Sequence, residues 1–174
     1  MAKQFTIGLL HKAAFSIALS AAAVAAPAQA ASHHHGYGHA ALQCAPYARE
    51  VSGIDLHGRA ADWWGQAEGV YARGNTPREG AVLAFRSTHS MRAGHVATVA
   101  KVVDARHVLL NHANWSRPGM IEREATAVDV SEKGDWSEVR VYFAPIGKLG
   151  LRTSPTFGFI YNESPERTRL ALRD

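Results

Sequence analysis

From residue 41 onward the spacing of apolar positions changes period once. Residues 44–51 (Cys-Ala-Pro-Tyr-Ala-Arg-Glu-Val) predict a short helix. Pro46 sits in its first turn, where a missing N–H costs nothing, and Ser52-Gly53 ends it. A second helical stretch is expected over 58–71, where Ala60, Trp63, Trp64, Ala67 and Val70/Tyr71 recur near helical spacing. Residues 74–77 (Gly-Asn-Thr-Pro) then read as a loop.

Beyond that loop the pattern is that of strands. Residues 81–85 are short and apolar, 95–103 are rich in β-branched residues, and 107–114 follow after the turn Asp104-Ala105-Arg106, which predicts a hairpin. Residues 120–130 alternate loosely, and 138–143 (Glu-Val-Arg-Val-Tyr-Phe) alternate cleanly, as expected of a strand with one wet face. Helices first and then consecutive strands joined by short turns predict an α+β fold, with the N-terminal helices packed on an antiparallel sheet of about five strands.

The first 40 residues have a different character. Lys3, His11 and Lys12 make a basic start, and 13–26 carry no charge. That run is shorter than the roughly 20 residues a bilayer span needs, so it fits the apolar part of a signal peptide rather than a membrane anchor. Pro27 and the small-x-small pattern Ala28-Gln29-Ala30 place cleavage after Ala30. The expected mature chain is therefore secreted or periplasmic, without stable membrane insertion. Residues 31–40 form a His/Gly-rich leader, read as a solvated linker. Weak transition-metal binding by His33, His34, His35 and His39 is the functional alternative. A domain over 41–150 and a C-terminal extension over 151–174, charged from Ser164 onward, complete the expected organisation.

Composition narrows the function. Hydrophobic residues make up 47% and charged residues 20%, which is globular, and a net charge of +4 without a clustered Lys/Arg stripe gives no reason to expect nucleic acid as a partner. The single cysteine, Cys44, excludes an internal disulfide and a cysteine zinc site. No HExxH, GxxxxGK[ST], GxSxG or EF-hand pattern occurs, and Asp55, Asp62 and Glu68 form no paired-carboxylate motif. No cofactor or metal is called for, and a monomer is expected.

Cys44 opens a helix, where partial positive charge and free N–H groups favour a thiolate and offer donors for an oxyanion. A buried structural cysteine is the competing reading. His95 begins a strand after a loop and is a candidate base for that thiol. Its orienting partner belongs on the next strand, where His112 and Asn114 share a face and Asn111 points away, unless these polar residues mark only a strand end. Gln43, Tyr47, Trp64 and Trp115 are candidate substrate-binding residues. Core packing competes for Trp63 and Trp64, of which at most one is expected to face a cleft because neighbours on a helix diverge by about 100°.

The ordered set Gln43-Cys44, Trp63-Trp64, Pro77-Arg78-Glu79-Gly80-Ala81-Val82-Leu83-Ala84-Phe85, Gly94-His95-Val96-Ala97 and His112-Ala113-Asn114-Trp115 resembles the CHAP domain, the cysteine, histidine-dependent amidohydrolase/peptidase family, over roughly 41–146. The resemblance implies a papain-like α+β fold related to the NlpC-type cell-wall peptidases, and peptidoglycan as the substrate. It makes Cys44 the nucleophile and His95 the base. His112 stands where many members carry Glu, Asp or Asn and is similar to the third member of the Cys-His-His set of the NlpC-type relatives, with Asn114 two residues on. The expected function is an exported cysteine amidase or peptidase cutting amide bonds through a thioester. The alternative is a catalytically idle wall-binding module that holds glycan or peptide on its tryptophans.

Overall fold

The computed structural model describes residues 41–166. The signal peptide and leader expected over 1–40, and the charged end from Arg167, lie outside the described residues.

Helix α1 (Cys44–Ser52) forms where expected, with Pro46 in its first turn. It ends because Gly53 adopts a left-handed conformation (φ 71°) and its N–H reaches Arg49 O at 2.9 Å. The second helical stretch is much shorter than its apolar spacing suggested. Only a 3₁₀ turn at Ala60–Asp62 and helix α2 (Trp63–Gln66) are helical. Gly65 and Gly69 weaken the helix from within, and Gly69 takes φ 75°, a conformation no helix contains.

The strands are β1 (Ala72–Gly74), β2 (Val82–Phe85), β3 (His95–Val102), β4 (His107–Ala113), β5 (Ile121–Asp129), β6 (Glu138–Phe143), β7 (Lys148–Leu149) and β8 (Ser154–Tyr161). All pairings are antiparallel, in the order β1-β8-β2-β3-β4-β5-β6-β7. β8 also pairs with β6 through Glu138↔Pro155 and Val139↔Ser154. This closes β2, β3, β4, β5, β6 and β8 into a six-stranded barrel.

The expected α+β, papain-like arrangement of helices on an open sheet of about five strands is therefore corrected. The molecule is mostly sheet, closed on itself, with two short helices among the described residues. The element that closes it, β8, lies within the segment expected as an extension. Pro155 and Gly158 break its apolar alternation, which hid it as a strand. Gly158 is required by the pairing of β8 with β1: at φ 124°, an added Cβ would lie 2.6 Å from Gly74 O on β1.

Two apolar cores result. Leu83, Phe85, Ala97, Val99, Leu110, Val139, Val141 and Phe159 fill the barrel, and Trp136 also packs there. Outside it, Val82, Ala84, Val96 and Ile160 meet α1, Ile54, Ala60 and Trp63. β2 is apolar at every position because it has a core on each face, whereas β6 alternates because its outer face is wetter.

Candidate active site

Cys44 is the first residue of α1 and packs at the edge of the outer core. Burial raises its thiol above the ordinary thiol range. Backbone N–H groups of Val96, Ala45 and Cys44 itself pull the other way without overcoming the burial. The helix start expected to favour a thiolate thus holds a resting thiol that is neutral near pH 7.

His95 enters β3 directly after Gly94, which takes φ 67°. An added Cβ there would lie 2.7 Å from Ala61 N, and the same contact is locked by the Ala61 N–H bond to Ala93 O at 2.8 Å. The loop before β3 is thereby held against the 3₁₀ turn, and the Gly-His dipeptide has a mechanical reason. His95 is buried, with Phe85 edge-on at 5.3 Å and Trp115 at 4.9 Å between ring centroids.

His95 Nε2 lies 3.1 Å from His112 Nδ1. The strand alternation anticipated this, since His112 and His95 face the same side of the β3–β4 pair as diagonal neighbours. Desolvation is the main cause that lowers His95 well below its usual range, with repulsion from His112 adding to it. Desolvation lowers His112 to about 4. Both imidazoles are neutral at pH 7. With Nε2 engaged, Nδ1 is the nitrogen of His95 left to exchange a proton.

Cys44 and His95 line one cleft of about 800 Å³, together with Gln43, Asn114 and Trp115. The cleft's far wall comes from β6 and the segment before β8, including Phe143, Ile146 and Leu151. Arg92 and Arg152 line it, and no Asp or Glu among the described residues does.

The remaining sequence candidates divide. Trp115 packs against both histidines, 5.7 Å from His112 between ring centroids, and donates from Nε1 to Tyr142 O at 3.1 Å. Asn114 does not bond to either histidine. In a left-handed conformation (φ 62°), it donates from Nδ2 to Gln43 Oε1 at 2.8 Å and accepts from Gly119 N–H at 3.0 Å. It thereby anchors Gln43, whose own Nε2 donates to Ala41 O at 2.8 Å. Asn111 accepts from Glu124 N–H at 3.1 Å, away from His95. Tyr47 is a buried residue of α1, Trp63 is fully buried, and Trp64 stacks on Phe157 at 5.7 Å; none of the three lines the cleft. Among the described residues no cluster of His, Cys, Asp or Glu is arranged to hold a metal ion.

One residue of the site gave no signal in the sequence. Glu122 on β5 is paired with His112 and places Oε2 3.6 Å from His112 Nε2. Simple alternation along 121–129 puts Glu122 opposite Ala125 and Ala127. A register shift between Leu110 and His112 resets the phase and turns Glu122 to the buried side.

A small antiparallel barrel carrying a helix-start cysteine and a buried histidine pair in one cleft defines the class. The CHAP domain model matches residues 32–114, and that span of the chain is similar to the CHAP family. Members of this family are generally amidases and peptidases of peptidoglycan. The matched span includes Cys44, His95, His112 and Asn114 and ends before Glu122. No curated protein matches the chain.

Proposed function

We propose that this protein is an exported cysteine amidase or peptidase that hydrolyses an amide bond of peptidoglycan through a thioester. The observation that carries the reading is the Nε2–Nδ1 bond from His95 to His112 beside a cleft that also holds Cys44. Export follows from the expected signal peptide and places the mature chain, a monomer, in the periplasm or outside the cell, where the polymer is.

With thiol and imidazole both neutral, proton transfer accompanies attack instead of preceding it. His95 Nδ1 takes the Cys44 proton as Sγ bonds to the amide carbon, and the carbonyl electrons move to oxygen. Backbone N–H groups at the start of α1 are suitable donors to that oxyanion. The His95 imidazolium then protonates the amide nitrogen, the C–N bond breaks, and the amine leaves a thioester on Cys44. Water, deprotonated by His95, attacks the thioester carbon, and the C–S bond breaks to release the acid and restore the thiol. Throughout, His112 Nδ1 accepts from His95 Nε2–H and holds the ring. The two arginines and the lack of acids in the cleft suit a substrate bearing free carboxylates, as wall peptides do.

Purified peptidoglycan incubated with the mature protein should yield fragments with a new amine and a new carboxyl end, seen by mass spectrometry. Cys44→Ala should yield none. Cys44→Ser should not restore cleavage, because a serine hydroxyl is far harder to deprotonate than a thiol. Near-normal turnover by either variant would refute the thioester route.

A further inference from the structure

We propose that Glu122 is a positioning residue that selects the tautomer of His112 and, through it, keeps His95 Nδ1 free to act as a base. The inference rests on the role proposed above for Cys44 and His95.

Only one proton lies between His95 Nε2 and His112 Nδ1, and two arrangements satisfy that bond. In the first, His95 donates from Nε2, its Nδ1 carries a lone pair, and His112 carries its proton on Nε2. In the second, His112 donates from Nδ1, so neutral His95 carries its proton on Nδ1 and cannot accept another there. The hydrogen bond alone does not choose between a competent base and a blocked one.

The surroundings of His112 Nε2 make the choice. This nitrogen is buried and has no hydrogen-bond partner among the described residues. The carboxylate Oε2 of Glu122 faces it at 3.6 Å, with both side chains buried. A proton on Nε2 meets negative charge at short range in a medium that screens poorly. A lone pair on Nε2 would meet that same charge and be repelled. The carboxylate therefore favours the first arrangement.

Glu122 is itself held in place for this. Its Oε2 accepts from Ser116 N–H at 3.1 Å and its Oε1 accepts from Ser116 Oγ at 2.7 Å. Ser116 Oγ in turn accepts from Ala144 N–H at 3.0 Å, which commits the hydroxyl proton to Glu122. The direct cross-strand pairing of His112 with Glu122 sets the separation through the backbone. The chain from cleft to interior thus runs Cys44, His95, His112, Glu122.

The test uses the mature protein labelled with ¹⁵N-histidine and long-range ¹H–¹⁵N correlation spectra, which show which ring nitrogen carries the proton. His112 should be protonated on Nε2 and His95 on Nε2. Glu122→Leu should populate the other tautomers and lower kcat on peptidoglycan roughly tenfold or more, a share of the roughly 10²–10⁴-fold that general base catalysis supplies, with KM nearly unchanged. Glu122→Gln keeps an acceptor without the charge and should retain the tautomer and more of the activity. If Glu122→Leu fails to fold by circular dichroism, the ring nitrogen that carries the His112 proton in the unaltered protein decides. A proton on His112 Nδ1 in the unaltered protein would overturn the proposal, as would wild-type tautomers and kcat in Glu122→Leu. If the unaltered protein does not cleave peptidoglycan, the spectra still decide the role of Glu122, so the two readings fail separately.

Discussion

Acid should unfold this protein partly through His112, and the size of the effect follows from its burial. An unfolded imidazole titrates near about 6.5, whereas in the folded chain desolvation lowers His112 to about 4. The unfolded chain therefore binds a proton that the folded chain refuses. Stability from this group is complete above about pH 6.5, declines as pH falls below it, and stops declining once pH is below the folded value. At about pH 4.5, two units below the unfolded value, the loss is roughly 2 to 3 kcal/mol at about 1.36 kcal/mol per unit. That is a large part of a typical total of about 5–15 kcal/mol. With a urea m-value of about 2 kcal/mol/M, the unfolding midpoint should drop by roughly 1 M between pH 7 and pH 4.5 on this account alone. His95, lowered in the same direction, adds to the slope. The assay is urea unfolding of the mature chain and of His112→Asn, followed by tryptophan fluorescence at both pH values. The variant starts from lower stability, and its midpoint should fall by about 1 M less than that of the unaltered protein. Parallel falls in the two proteins would refute the reasoning, because His112 would then titrate normally when folded.

Three further outcomes follow from the geometry. The rate of Cys44 alkylation by iodoacetamide should keep rising into alkaline pH, since burial raises the thiol; a plateau below about pH 8 would mean a thiolate at rest. His112→Ala should lower kcat on dye-labelled peptidoglycan, whereas Asn111→Ala, which loses only the bond to Glu124 N–H, should cost about 1 kcal/mol of stability and little activity; the reverse pattern would contradict the observed strand faces. Gly94→Ala should lower the melting temperature and the activity together, because both φ 67° and the contact with Ala61 resist a Cβ; an unchanged melting curve would contradict this.

Local pattern was enough to locate α1 and the strands β2 to β6, because each carries its own period or, in β2, a short apolar run, set off by turn or loop residues. Closure was not legible. It depends on β8, where Pro155 and Gly158 spoil the alternation for reasons that exist only once β1 and β6 lie beside it. The site shows the same division. Cys44 and His95 stood out as reactive types at helix and strand starts and His112 as one near a strand end, and alternation put the two histidines on a common face. Glu122 stayed hidden because an extra residue in β5 itself, three residues from Glu122 to Ala125 against two from Leu110 to His112, reverses which of its residues face inward. Asn114 was legible as polar but not in its task, since its partner Gln43 lies 71 positions away in the chain.

The proposed nucleophile and its proposed base belong to different layers. Cys44 is carried by a helix held to the outside of the barrel by the outer core, whereas His95 and His112 stand on strands whose shared face turns toward the barrel interior. The proposed catalysis therefore requires the helix to stay seated on a barrel whose own strand pairings do not include it. On gentle heating, activity becomes a gauge of helix docking rather than of global folding. A protein inactivated in that way would keep its sheet spectrum and regain activity on cooling as soon as α1 returned to its seat.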